Sequence, residues 1–394
     1  MLAILGGTPP AFREPLHVGR PNLGDRARLQ ERINALLDAR WLSNRGPFVQ
    51  EFEQRLAEMI GAKHCIVTCN ATIALEITIR ALGLTGEVII PAFTFVATAH
   101  ALQWQQITPV FCDIEPASHN IDARKIEALI TPRTTGILAV HLWGQPCAIE
   151  ELQAIADKRK LKLLFDAAHA LGSRYREKII GTFGQAEVFS FHATKIVNAG
   201  EGGAVVTNDD ALAARIRAMK NFGFSDYDQV TQLGTNGKMS ELAAAMGLTN
   251  LESFPEFASA NRMNFAAYEK HLRGIPGLSL LHFDAANSPN HHYVVTEIDA
   301  AKMGLSRDQI MAVLHAENIL ARRYFYPGAH RMEPYRSKFP EAAAHLPVTT
   351  AVADRVLVFP TGTAVQPADV EKIGAIIRSA REHHGDIRAM LSNR

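Results

Sequence analysis

The sequence predicts an α/β protein. A large domain over residues 1–250 has a mostly parallel central sheet flanked by helices, and a smaller α+β domain follows over residues 251–394. Three observations carry this prediction. Short β-like runs alternate with helix-like ones through the first two thirds of the chain. The rhythm changes near Leu251, where helical stretches are punctuated by proline and glycine. Ionisable residues also stand at the ends of apolar runs, and an α/β sheet builds its sites outside the carboxyl ends of its strands.

Taken in order, HCIVT (His64 to Thr68) leads into the helical TIALEITIRAL, and EVIIP (Glu87 to Pro91) into FVATAHALQWQ. PVFCDI is followed by DARKIEALI, GILAVHL by IEELQAIADKRK, and then comes LKLLFD. This βα rhythm requires crossover connections, hence parallel strands with helices on both faces. After AEVFSF, Gly202 and Gly203 mark a turn before the strand AVVTN, and DDALAARIRAMK follows as an amphipathic helix opened by an aspartate cap. A helix from about Met239 to Glu252 meets Pro255, and FASANRMNFAAYEKHLRGIPG reads as a long helix ended by glycine and proline. HYVVTEID, a helix around Ser306 to Glu317, VLVFP and a terminal helix from about Pro367 to His383 complete the smaller unit.

Composition limits the function classes. With 41 basic and 40 acidic side chains the net charge is +1, which offers no global pull toward nucleic acid or an anionic membrane. No apolar run approaches the roughly 20 residues that cross a bilayer, so the chain reads as cytoplasmic. Cys65, Cys69, Cys112 and Cys147 form no C-x-x-C pair and read as structural free thiols rather than metal ligands. His291 and His292 lack a ligand pattern and would face opposite sides of a strand, so no metal site is expected.

The stretch from Leu161 to Asp209 carries the chemistry. Asp166 ends one apolar run and Lys195 lies just past another. Pyridoxal phosphate needs an amine to hold its aldehyde and a carboxylate to keep its pyridine nitrogen protonated; Lys195 and Asp166 offer that pair. The alternative is a helix cap at Asp166, opening a helix at Ala167, and a solvated lysine. Asn70, Ala71 and Thr72 sit between a strand and a helix, where free N–H groups favour a phosphate; an ordinary helix cap is the competing use. Phe95, like Phe93, follows a strand and offers a ring to stack on the pyridine, or a core side chain. Ser190 is a further candidate for the phosphate.

The segments FDAAHALGS, GTFGQAEVFSFHATK, EGGAVVTND and LGTNGKMSELAAAMG, in this order, resemble the DegT/StrS family of pyridoxal-phosphate sugar aminotransferases. PAFTFVATAHAL, PVFCDIEPASHNID, ITPRT and AVHLWGQP are similar to the same family, so the likeness runs from about Trp41 to Glu252. It implies an aspartate-aminotransferase-like fold in which Lys195 carries the cofactor and Asp166 meets the pyridinium nitrogen. His169, where many relatives have glutamine, falls within reach of the phenolic oxygen. Ala71 and Thr72 hold phosphate through backbone N–H, Phe95 stacks on the ring, and Ser190 binds phosphate. Asn236 is implied to reach the phosphate in a neighbouring subunit's site, which makes a homodimer with shared active sites part of the mechanism. His330, in YFYPGAHRMEPY, is implied to stand near the sugar. Arg45 is a candidate diphosphate partner.

The same likeness implies an amino group taken from glutamate and delivered to a nucleotide-linked ketosugar, at the 4-keto position of a 4-keto-6-deoxy sugar rather than the 3-keto position. A sugar dehydratase or lyase on the same scaffold and a non-catalytic cofactor-binding regulator are the competing readings; retention of the lysine favours transamination. The string GTNGK is not a phosphate-binding loop of nucleotide hydrolases, because Gln232 stands at the first required glycine and Met239 at the required Ser/Thr.

Overall fold

Seven of the apolar runs form the central sheet: β1 (His64–Thr68), β2 (Glu87–Pro91), β3 (Thr108–Cys112), β4 (Thr134–Val140), β5 (Lys162–Asp166), β6 (Ala186–Ser190) and β7 (Gly203–Thr207). The computed structural model describes residues 2–6, 8–284 and 286–392. The strands lie in the order β1-β7-β6-β5-β4-β2-β3. β3, β2, β4, β5 and β6 pair in parallel, and β7 runs antiparallel between β6 and β1. Every residue of β2 and β7 is buried, as a sheet covered on both faces requires.

Successive residues of a strand feed opposite cores. Leu164 packs with Ile66, Leu75, Ile79 and Ile90 on one face, and Phe165 with Phe52, Leu56, Val67 and Phe191 on the other. The covering helices are α1 (Arg26–Ala39), α2 (Pro47–Ile60), α3 (Ala71–Ala81), α4 (Ala97–Gln103), α5 (Ile149–Arg159), α6 (Asp210–Met219) and α7 (Glu241–Glu252). Their starts follow from short polar caps. Asn70 accepts the Ile73 N–H, Asp209 those of Ala211 and Leu212, and Ser240 that of Ala243. No helix begins after Asp166: the chain turns there instead, which removes the helix-cap reading of that residue. The run DARKIEALI is shorter than expected, a single turn at Ala123–Ile126 continued as a 3-10 turn at Glu127–Leu129.

Beyond α7, α8 (Phe254–Leu272) begins at once, with Pro255 tolerated in its first turn. It packs on an antiparallel sheet of β8 (Leu278–Leu280), β9 (Val294–Ile298) and β10 (Val356–Phe359). Helices α9 (Arg307–Ala316), α10 (Pro347–Arg355), α11 (Pro367–Glu382) and α12 (His384–Ser392) belong to this smaller unit, α9 opening on a Ser306–Gln309 capping box. Its core also takes Leu2, Ile4, Phe12 and Leu16 from the start of the chain. Leu16–His17 pairs in parallel with Ile319–Leu320, and Glu317 accepts the N–H groups of Ala3 and Ala11, both at 2.7 Å.

A carboxylate ties the two units together. Asp113, just past β3, accepts the Thr349 N–H and hydroxyl at 2.7 and 2.8 Å, the Val348 N–H at 3.2 Å and Lys125 Nζ at 2.8 Å. It thereby caps α10 from across the junction, satisfying N–H groups that have no partner inside the helix. Burial pushes its carboxyl up, but the bonds from Lys125 and Thr349 outweigh that and hold it below the usual carboxylate value. A depressed folded pKa stabilises the fold above the unfolded value and loses that effect as pH falls through the folded one. Asp113→Asn is therefore expected to lower unfolding stability at neutral pH by about 1–3 kcal/mol. In urea titrations the deficit should shrink as the pH drops below about 4; a pH-independent deficit would contradict this account.

Candidate active site

The carboxyl ends of β5 and β6 and the amino end of β7 open on a cavity of about 550 Å³, within the usual range for small-molecule sites. Asp166, Ser190 and Lys195 line it together with Ala71 and Thr72 at the start of α3, and His169, Phe95, Tyr293, Tyr324 and Phe325. With Asn70, which also lines it, eight of the residues singled out in the sequence meet in one place. The register explains the phosphate edge: Gly203 of β7 stands opposite both Ser190 of β6 and Thr68 of β1, two residues before Asn70. A Cβ at 203 would lie 2.6 Å from the Ala71 nitrogen, so the glycine leaves that N–H uncrowded. With Asn70 capping Ile73, the first N–H groups of α3, those of Ala71 and Thr72, are the ones a helix cannot satisfy internally.

Asp166 is almost fully buried. Its Oδ1 accepts the Ala168 N–H at 3.1 Å and its Oδ2 the Thr98 hydroxyl at 2.9 Å, with Thr94 Oγ1 a further 3.1 Å behind Thr98. Burial pushes the carboxyl up, and these hydrogen bonds, Lys195 and His141 oppose it. Lys195 is half-buried, with its amine 3.3 Å from the Tyr293 hydroxyl. Burial pulls the amine down to about 8 against the pull of Asp166 and Tyr324 in the other direction. The lowered value raises the neutral fraction near neutral pH, and the neutral amine is the form a nucleophilic lysine uses.

His169 is held neutral, chiefly by burial and further by the positive charge of Lys195. Its Nδ1 accepts the backbone N–H of Trp143 at 3.2 Å, which leaves the proton on Nε2. The ring lies between Trp143, stacked at 6.0 Å, Phe325, stacked at 5.9 Å, and Tyr293 at 4.4 Å. Trp143 is fixed in turn: its indole N–H donates to His119 Nδ1 at 3.2 Å, and His119 Nε2 meets Glu297 of β9 at 3.1 Å. Phe95 stands at the mouth, exposed, 6.2 Å from Phe325.

One residue expected near the substrate lies outside this cavity. His330 does not line the cavity, against the expectation that it stands near a substrate. It is buried beside Phe111, at 6.3 Å, and Gly328, on a turn tied down by the Ala329 N–H to Ala92. Asn236, expected to reach a neighbouring subunit's site rather than this one, lies on a loop whose next residue, Gly237, accepts the Cys69 N–H at 2.9 Å. Arg45 faces a separate basic cleft with Arg215, Arg217 and Lys220. Thr98, Tyr293, Tyr324 and Phe325 were not anticipated. A Thr-x-x-x-Thr spacing at Thr94 and Thr98 and an aromatic opening the strand at Tyr293 are the only local signs of the first two. Among the described residues no group of His, Cys, Asp or Glu side chains forms a metal site, and the four cysteines are free thiols.

A mostly parallel sheet that brings a lysine of lowered pKa and a buried carboxyl group into one cavity is the arrangement of an enzyme that works through a lysine amine. The sequence profile of the DegT/DnrJ/EryC1/StrS aminotransferase family matches residues 24–378, and the chain belongs to that family. It is 39% identical to the dTDP-4-amino-4,6-dideoxy-D-glucose transaminase of Escherichia coli over 366 residues, 91% of this chain and 97% of the relative. It is 34% identical to the GDP-perosamine synthase of Caulobacter vibrioides over 345 residues, 86% of this chain and 92% of the relative. Its structure matches that of DesI, solved in the presence of its TDP-sugar product, with a TM-score of 0.94 and 51% identity over 98% of each chain.

The Thr98 hydroxyl is the one side-chain bond to Asp166 described above. Thr98→Val removes it from a buried charge, so affinity for pyridoxal phosphate should fall about tenfold while the fold is retained. Fluorescence titration of the cofactor-free protein measures this; unchanged affinity would show that Asp166 is positioned without Thr98.

Proposed function

We propose that this aminotransferase uses pyridoxal phosphate to move an amino group from glutamate to the 4-keto carbon of a nucleotide-linked 4-keto-6-deoxy sugar. The observation that carries the reading is the half-buried amine of Lys195, lowered to about 8, in one cavity with the buried Asp166 carboxylate. The residues fit the cofactor. The cavity has the size, Gly203 leaves the Ala71 N–H uncrowded, and the lysine and carboxylate supply the donor set. Pyridoxal phosphate, when bound, supplies an aldehyde that condenses with amines and a pyridinium ring that takes up the electron pair of a carbon losing its proton.

Each residue then has a task. Lys195 holds the cofactor and, once released, its neutral amine carries a proton to and from the substrate carbon. Asp166 keeps the ring nitrogen protonated, and its burial makes that charge pairing strong. Thr72, Ser190 and the N–H groups of α3 would hold the phosphate, and Phe95 offers an aromatic face for the ring. His169 offers its Nε2–H to the phenolic oxygen, where a neutral ring donates without adding a full charge.

The 4-position and the deoxythymidine diphosphate carrier are supported by the names of the Escherichia coli transaminase and of the DesI complex, so that sugar is the first to test. A homodimer in which Asn236 reaches the partner's phosphate is supported by exposed apolar residues around its loop: Trp41, Leu42, Phe222, Phe224, Leu233 and Leu242. Four free thiols fit a reducing, cytoplasmic setting. No helix among the described residues is long and apolar enough to cross a membrane.

Glutamate added to the cofactor-loaded protein should convert the visible band to that of the aminated cofactor, with stoichiometric 2-oxoglutarate, and a dTDP-linked 4-keto-6-deoxy sugar should reverse it. Lys195→Ala should abolish both the lysine-bound band and turnover. A band unchanged by any of several amino donors would favour the regulator reading, and turnover with 3-keto sugars alone would overturn the regiochemistry.

A further inference from the structure

The small domain reaches the lysine through one short segment. Asn290 Nδ2 donates to the carbonyls of His169 and Leu171 at 2.8 and 3.0 Å, and the Asn290 N–H donates to Ser173 Oγ at 3.2 Å. His292 Nε2 meets the Thr194 carbonyl at 2.8 Å; a carbonyl only accepts, so Nε2 carries the proton. The His292 backbone N–H donates to Asn290 Oδ1 at 3.1 Å. The segment therefore grips the turn after Asp166 and the residue before Lys195 at once. At its end Tyr293 places its hydroxyl 3.3 Å from Lys195 Nζ, with its ring centroid 5.9 Å from the same atom.

We propose that Tyr293 is a positioning residue for Lys195: its hydroxyl oxygen accepts a hydrogen bond from the lysine amine and holds it at a fixed station whenever it is not bonded to the cofactor. The proposal rests on the functional reading above, because only a lysine that lets go of its cofactor in each half reaction needs such a station. Three features support it. Tyr293 is buried and its ring is wedged against His169, Trp143 and His292 at 4.4, 5.5 and 5.1 Å, so the hydroxyl has little freedom. Burial keeps the phenol protonated by raising it well above its ordinary value, so it acts as a hydroxyl and not as a phenolate. The oxygen, 3.3 Å from the amine, favours the ammonium form, the state the amine enters when it takes a proton from the substrate carbon.

The consequence is a stronger base than burial alone would leave. The groups facing the amine are Asp166, which raises its affinity for a proton, the neutral His169 and His292, the hydroxyl of Tyr293, and Tyr324. Tyr293→Phe keeps the ring and its packing and deletes only the oxygen that accepts the bond.

Competitive amine labelling of Lys195 in the cofactor-free full chain, read by mass spectrometry across pH, tests this without any turnover. The labelling midpoint should fall by about one pH unit in Tyr293→Phe, the size expected for losing a bond to a charged group. In the cofactor-loaded protein the glutamate half reaction should slow about tenfold or more, with the donor concentration at half-maximal rate little changed. An identical midpoint in the two proteins would overturn the positioning role, whatever happens to the rate. A wild-type chain that binds no pyridoxal phosphate or releases no 2-oxoglutarate would sink the functional reading instead, and the two failures are told apart by the wild-type control. Thermal unfolding of both proteins should coincide within a few degrees; a Tyr293→Phe protein that unfolds early while keeping the wild-type midpoint would assign the residue a packing role alone.

Discussion

Taking an amine and a carboxylate out of water in the same cavity is the constraint on which the rest of the structure depends. Neither charge is cheap to bury alone, and the protein offsets the cost of Asp166 with the Ala168 N–H and the Thr98 hydroxyl. Lys195 is treated differently. Its amine is hydrogen-bonded to the Tyr293 hydroxyl, and burial leaves it down at about 8. Burial raises the Asp166 carboxyl and lowers the Lys195 amine, and a carboxyl paired with an amine whose proton is loosened is the combination a Schiff-base cofactor uses. The parallel sheet delivers both groups to one rim because β5 and β6 are neighbours running in the same direction.

The second structural theme is an aromatic wall shared between the domains. Phe93, Trp143, Tyr293 and Phe325 belong to one apolar cluster that joins the large sheet to β9 and β10. Trp143 and Phe325 stack at 5.3 Å and 15°, and His169 lies against both. The wall does more than exclude water, since the Trp143 backbone fixes the tautomer of His169 and the indole is anchored through His119 to Glu297 of the small domain. Movement of the small domain would thus be felt by the histidine and the lysine together.

Much of this was legible in the sequence, for identifiable reasons. The strands His64–Thr68 and Glu87–Pro91 were bounded correctly because buried parallel strands read as short, nearly continuous apolar runs. Asp166 and Lys195 were visible because each stands next to such a run, so strand order alone aims them at a common rim. Thr98 and Tyr293 were not, because their partners lie 68 and 98 residues away in the chain and no local pattern encodes either contact. The opening residues Leu2, Ile4, Phe12 and Leu16 join the C-terminal core for the same reason: burial by a distant element leaves no periodic trace. The likeness of YFYPGAHRMEPY to relatives pointed to His330, but that turn is bonded to Ala92 of the distant large domain and the His330 ring is buried there.

The central claim is that Lys195 is the residue that takes the cofactor. Borohydride reduction of the protein incubated with pyridoxal phosphate, followed by peptide mapping, measures this directly. The account predicts a phosphopyridoxyl group on the peptide carrying Lys195 and on no other lysine. Label on Lys220 or Lys238, or none at all after reduction, would contradict it.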